Sequence, residues 1–237
     1  MRLVFKCLVA ALIAGCLPVT ASAACRLALV LALDVSSSVD AREDSQQRNG
    51  LAAALASPEV QAAILSDPGY YVALQVFEWS GRYQQSTMID WRALRSSEDI
   101  TDAAAAIAES TRRHANFPTA LGYALGHAST MLADAPPCER KTVDVSGDGR
   151  NNAGFGPKTA YEHFPFDDVT VNGLAIGGNM EGLKQYYETE VIRGPFAFVE
   201  TAADFDDFER AMKRKLIRET NVPGLGMLAP ETGTRLR

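Results

Sequence analysis

The chain has little of what several common functions require. Basic residues are outnumbered, 23 Lys and Arg against 29 Asp and Glu, for a net charge of -6. That balance excludes the basic footprint of a nucleic-acid binder and offers no attraction to anionic lipid. Histidine is scarce: His114, His127 and His163 are the three, and no two have the spacing of metal ligands. No G-x-S-x-G elbow sets up a hydrolase serine. Past the first residues, no apolar run is long enough to span a bilayer. There is no internal repeat and no composition break, so 237 residues read as one α/β domain with a full core.

The amino terminus reads as a leader. Arg2 and Lys6 precede an apolar run over residues 7–17, and Ala21-Ser22-Ala23 is a small-x-small cleavage signal. We expect residues 1–23 to be a secretory signal peptide, residues 24–220 the folded domain, and residues 221–237 a flexible Gly- and Pro-rich tail. The pattern is bacterial in style and predicts a periplasmic or secreted protein. The alternative is a lipoprotein anchored through Cys16, because Ile13-Ala14-Gly15-Cys16 resembles a lipidation box.

What is present centres on residues 27–40, LALVLALDVSSSVD. A short unbroken apolar run suits a strand buried on both faces of a parallel sheet. It ends in Asp34, Ser36 and Ser38, alternate positions at the edge where open α/β sheets bind ligands. Further strands are expected over residues 70–79, 85–91, 142–146, 169–176 and 196–199. Helices are expected over 40–56, 58–65, 98–111 with Ser97 as cap, 119–132, 158–163, 181–191 and 204–218. Strands alternating with helices predict a doubly wound, mostly parallel six-stranded sheet in the order 3-2-1-4-5-6. One antiparallel edge strand comes from the 70–91 hairpin, and helices cover both faces.

Of four cysteines, Cys7 and Cys16 fall in the leader, leaving Cys25 and Cys138. In the expected order each lies just before one of two neighbouring parallel strands. Asp34 and Asp148 follow those strands at nearly equal spans. The cysteines should meet at the amino edge of the sheet and the aspartates at its carboxyl edge. Neighbouring strands about 5 Å apart suit a disulfide, whose Cα atoms lie about 4.4–6.8 Å apart.

Asp34-Val35-Ser36-Ser37-Ser38 matches the D-x-S-x-S signature of von Willebrand factor A domains. With Thr119 after a loop and Asp148 in Ser-Gly-Asp-Gly, the chain resembles that family over about residues 25–218. More narrowly, it resembles a bacterial exported subfamily of unknown function (DUF1194). The resemblance implies a metal-ion-dependent adhesion site. Ser36 and Ser38 would ligate a divalent cation; Asp34, Thr119 and Asp148 would bind it directly or through water. The metal would be Mg2+, or Mn2+ or Ca2+, all hard cations that take oxygen ligands. A partner protein would offer an acidic side chain to the open position. The flank of Thr119, His-Ala-Asn-Phe-Pro, departs from the Gly-rich loop common in the family.

Plainer readings stand beside these. Ser36 and Ser38 could serve as helix caps. Asn151 and Asn152 read as turn formers, with a place at the border of the site as the alternative. Phe117, Phe155 and Tyr83 are expected to pack within loops, with a contact rim as the alternative. Lys213-Arg214-Lys215 reads as the solvated side of the last helix. Overall the sequence predicts a non-enzymatic, metal-dependent protein-binding module. The alternatives are an envelope hydrolase, with Ser36, Ser38 or a metal-bound water as nucleophile, and a structural domain whose site is vestigial.

Overall fold

A computed structural model describes residues 23–177 and 182–221. The expected leader and tail fall almost wholly outside these residues, as do Cys7 and Cys16. Among the described residues, no helix is long and apolar enough to cross a membrane.

Among the described residues, six strands form one sheet in the order β3-β2-β1-β4-β5-β6. They are β1 (Ala24–Asp34), β2 (Tyr70–Trp79), β3 (Gln85–Leu94), β4 (Lys141–Gly147), β5 (Val169–Ile176) and β6 (Val199–Ala202). All neighbours are parallel except β2 and β3, which form the antiparallel hairpin at one edge. The helices are α1 (Ala41–Ala56), α2 (Pro58–Ile64), α3 (Ser97–Glu109), α4 (Leu121–Ala133), α5 (Pro157–His163), α6 (Leu183–Tyr186) and α7 (Phe208–Thr220). A π-helical turn, Tyr187–Val191, continues α6.

The side-chain period of two along a strand divides β1 between two cores. Leu27, Leu29, Leu31 and Leu33 pack under α1, α3 and α7. Ala28, Val30 and Ala32 pack under α4 and α5, in a layer that also holds Tyr187. This double burial explains the unbroken apolar run. It also sends Asp34, next in the even series, toward the α4 side.

Cys25 and Cys138 form a disulfide with Cα atoms 4.5 Å apart. The two residues also make an isolated parallel bridge. The pairing therefore extends the β1–β4 ladder at its amino edge.

Several boundaries differ from the expected ones. α3 is capped by Ser96, not Ser97. Its hydroxyl accepts from Asp99 N, and Asp99 reaches back to the cap. The last strand occupies Val199–Ala202 rather than 196–199. Phe196 takes φ 60° in a turn, and the ladder to Gly173–Ile176 starts at Val199. α7 starts at Phe208, because Asp204 and Asp207 are used in a preceding turn.

The expected solvation of Lys213-Arg214-Lys215 fails at Lys215, which is fully buried. Its ammonium lies 2.9 Å from Asp144 Oδ1 on β4 and donates to Glu219 Oε1 at 2.6 Å. Asn172 on β5 donates to the same Glu219 oxygen at 2.8 Å. Position 215 shares a helical face with Phe208, Ala211, Met212 and Glu219, all buried, so it turns toward the sheet.

Candidate functional site

The carboxyl edge of the central strands brings together the five residues singled out from the sequence. Asp34 ends β1. Ser36 and Ser38 follow it in the turn before α1. Asp148 follows β4. Thr119 stands two residues before α4, in the loop rather than in the helix.

Four of the five are joined by hydroxyl contacts. Thr119 Oγ1 donates to Ser36 Oγ at 3.2 Å. Ser36 Oγ lies 3.2 Å from Ser38 Oγ, and Ser38 Oγ donates to Asp148 Oδ1 at 2.8 Å. The two ends of this row differ in exposure. Ser36 and Thr119 are buried, Asp148 is half-buried and Ser38 is exposed. The row therefore runs from the interior to a mouth at the sheet edge.

Asp34 forms the floor and is fully buried. One carboxylate oxygen, Oδ1, accepts the Ser36 amide at 2.7 Å. The other, Oδ2, has no hydrogen-bond partner among the described residues. Burial raises the Asp34 pKa to about 7, and the nearby negative charge of Asp148 adds to the shift. Arg112 partly opposes this, but its N–H groups are spent on carbonyls. Nε donates to His114 O, Nη1 to Val39 O, and Nη2 to Val35 O and Ser36 O, at 2.5–3.0 Å. The arginine thus staples the Asp34–Val39 turn without neutralising its carboxylate.

The rest of the scaffold acts on the backbone of the turn. Gln47 of α1 donates to Asp34 O at 2.9 Å. Ser37 N donates to Phe117 O at 2.8 Å, and Val35 N to Trp79 O at 2.8 Å. These bonds tie the turn to β2 and to the loop before α4.

Thr119 is held by Asn152. The Asn152 side chain accepts the Thr119 amide at 2.8 Å, and Asn152 N donates to Thr119 O at 2.9 Å. Asn152 therefore does more than shape a turn. Only its place in a Gly/Asn-rich loop marks it in the sequence, and Arg112 has no sequence signal at all.

The aromatic residues divide. Phe155 stacks on Tyr123 with ring centroids 4.1 Å apart. Phe117 lies 5.9 Å from the His114 ring, and Tyr83 is exposed. The histidines serve elsewhere. His114 Nε2 lies 3.0 Å from Ser86 Oγ, His127 packs on Phe77, and His163 is exposed. None is hydrogen-bonded to Ser36 or Ser38.

Among the described residues, no three His, Cys, Asp or Glu side chains are grouped to hold a metal ion. The present set is instead two carboxylates and three hydroxyls. Its all-oxygen chemistry suits a hard cation. The bare oxygen of a buried carboxylate is where such a cation, or a water bound to it, would find an acceptor.

Solved structures with the same fold are of von Willebrand factor A type. Proximal thread matrix protein 1 from the mussel byssus, with a zinc-occupied MIDAS motif, aligns at TM-score 0.61 and 20% identity, covering 82% of this chain and 48% of that one. The von Willebrand factor type A protein from Catenulispora acidiphila aligns at 0.55 and 18%, covering 83% and 42%. The pilus adhesin SpaC from Lactobacillus rhamnosus GG aligns at 0.57 and 15%, covering 84% and 31%. The chain thus spans about half of those proteins or less. No curated protein matches the sequence. The family described as protein of unknown function (DUF1194) matches residues 24–223, and the chain, a von Willebrand factor A-like fold, belongs to that family.

Proposed function

We propose that this domain is a divalent-cation-dependent protein-binding module that works outside the cytoplasm. Asp34, Ser36, Ser38, Thr119 and Asp148 would hold Mg2+, or Mn2+ or Ca2+. The cation supplies a Lewis-acidic position that an acidic side chain of a partner protein completes. Few charged ligands leave the ion electrophilic enough to attract that carboxylate.

One observation carries the reading. A fully buried carboxylate with a bare oxygen shares its pocket with a second carboxylate and has no cation paired to it. A buried charge is normally paired or bound to a metal. Export is supported by the Cys25–Cys138 disulfide, since such bonds persist in oxidising compartments, and by the leader read in residues 1–23. The Cys16 anchor is the alternative form of the same placement.

Calorimetric titration with Mg2+ and with Mn2+ tests the proposal. Saturable binding is expected in the wild type and is absent in Asp34→Ala. No heat at millimolar metal would end the reading and leave a structural domain with a vestigial site. A screen with ester and phosphoester substrates is expected to show no turnover. Metal-dependent turnover that disappears with Asp34→Ala would replace the binding module by a hydrolase.

A further inference from the structure

Tyr187 is fully buried in the layer covered by α4 and α5, the face toward which Asp34 points. Its hydroxyl has no hydrogen-bond partner, and neither has Asp34 Oδ2. Trp79 Nε1 and His127 Nε2, on the same side of the sheet, also lack partners, but the phenol and the carboxylate oxygen are a donor and an acceptor that can satisfy each other.

Two glycines bring them together. A Cβ on Gly173 of β5 would lie 2.5 Å from Tyr187 Cδ1, so the ring lies against that backbone. A Cβ on Gly147 at the end of β4 would lie 2.7 Å from Tyr187 Oη and 2.9 Å from Asp34 Oδ2. The hydroxyl and the carboxylate oxygen therefore flank the same gap. Neither glycine has a positive φ, so conformation does not demand glycine at these positions; the space for Tyr187 does. The tyrosine also opens the π-turn Tyr187–Val191. Single π-turns redirect side chains and recur at functional sites.

We propose that Tyr187 is a positioning residue for Asp34, its hydroxyl serving as the hydrogen-bond donor to Oδ2 across the gap over Gly147. Rotation of the side chains, or one bridging water, completes the bond, and the second lone pair of Oδ2 stays open to a cation or to water bound to it. Burial and the negative charge of Asp34 push the phenol well above its ordinary range, so the donor keeps its proton. The consequence for cation binding rests on the proposed function above. The pairing with Asp34 does not.

Two measurements separate the claims. In calorimetry with Mg2+, Tyr187→Phe should bind about tenfold more weakly or worse, as for other residues that orient a metal ligand, with an unchanged circular dichroism spectrum. Wild-type affinity in Tyr187→Phe overturns the proposal. The second measurement is the urea midpoint in EDTA for Tyr187→Phe, Asp34→Asn and the double variant. Tyr187→Phe should lower the midpoint in the wild-type background and have a smaller effect once Asp34 is Asn. Additive shifts overturn the pairing, whether or not metal binds. If the wild type binds no Mg2+ but the cycle is non-additive, the cation reading fails and the positioning of Asp34 stands. Gly147→Ala, which fills the gap, should weaken Mg2+ binding in the same direction as Tyr187→Phe.

Discussion

Asp34 and Asp144 stand on neighbouring strands, on opposite faces of one sheet, and both are fully buried. Burial pushes both carboxyls up to about 7. Asp34 Oδ1 accepts the Ser36 amide, while neither Asp144 oxygen accepts a hydrogen bond among the described residues, and the charges beside the two acids differ as well. Asp144 lies mid-strand with Lys215 Nζ at 2.9 Å, and the same ammonium reaches Glu219. A third buried acid, Glu78 on β2, is paired with Arg48 of α1, which also binds Asp44. Asp34 faces Asp148 instead, and the nearest arginine has spent its donors on backbone carbonyls. Among the described residues, side-chain cations lie against the acids of the interior, and none is hydrogen-bonded to the acid at the carboxyl edge. A buried pair need not stabilise a protein, but an unpaired buried charge is costly. This contrast supports the proposal that Asp34 binds a cation from solution.

Breaking the paired region should have the largest effect. Lys215→Met leaves Asp144 and Glu219 buried without a counter-charge and should cost about 3–5 kcal/mol in urea unfolding. Replacing Asp144, Lys215 and Glu219 together by apolar residues should recover most of that loss. If Lys215→Met is neutral, the two regions do not differ as argued.

The unpaired region should respond in the opposite direction. Asp34→Asn removes the uncompensated charge and should stabilise the EDTA-treated protein at pH 8 by on the order of 2 kcal/mol, while abolishing Mg2+ binding. A destabilised Asp34→Asn would show that the Ser36 amide and the Tyr187 hydroxyl outweigh the missing counter-charge.

The pH dependence sharpens the same contrast. The folded-state pKa of Asp34, about 7, lies above the unfolded value near 3.9. Between these values the folded state holds a proton that the unfolded chain has lost. Metal-free stability should therefore fall as pH rises from about 4 to about 7. Asp144 titrates in the same direction, so Asp34→Asn should reduce the slope without removing it. Mg2+ affinity should run the other way and weaken below about pH 7, where the proton competes. Urea midpoints and calorimetry across that range check both slopes.

The smallest effect belongs at the mouth. Ser38 is exposed, so Ser38→Ala should change stability by less than about 0.5 kcal/mol. It should still weaken Mg2+ binding.

The two buried series of β1, Leu on one face and Ala and Val on the other, are plain in its apolar run, and β2 and β5 have the bounds that their composition predicts. The last strand is not legible in the same way. Residues 196–199, Phe-Ala-Phe-Val, have strand composition, yet the ladder runs through Val-Glu-Thr-Ala because the register with β5 is set there. Strand propensity is weak beside pairing and burial. Lys215 shows a second limit. Its neighbours in the chain suggest solvent, while its neighbours three and four residues away along the helix suggest the core, and the helix periodicity prevails. In the candidate site, Asp34, Ser36 and Ser38 are adjacent in the chain and readable as a group. Arg112, Asn152 and Tyr187 come from elements far away in sequence, and no local pattern joins them to it.

By itself the sequence determined the alternation of strands and helices, the double burial of β1 and the oxygen-rich turn that ends it. These follow from side-chain period and chain adjacency, which act over a few residues. Only the tertiary structure decided which acids receive a counter-charge. Charge pairing acts through space at a few ångströms, and residues 110 positions apart, such as Ser38 and Asp148, meet only once the sheet has closed.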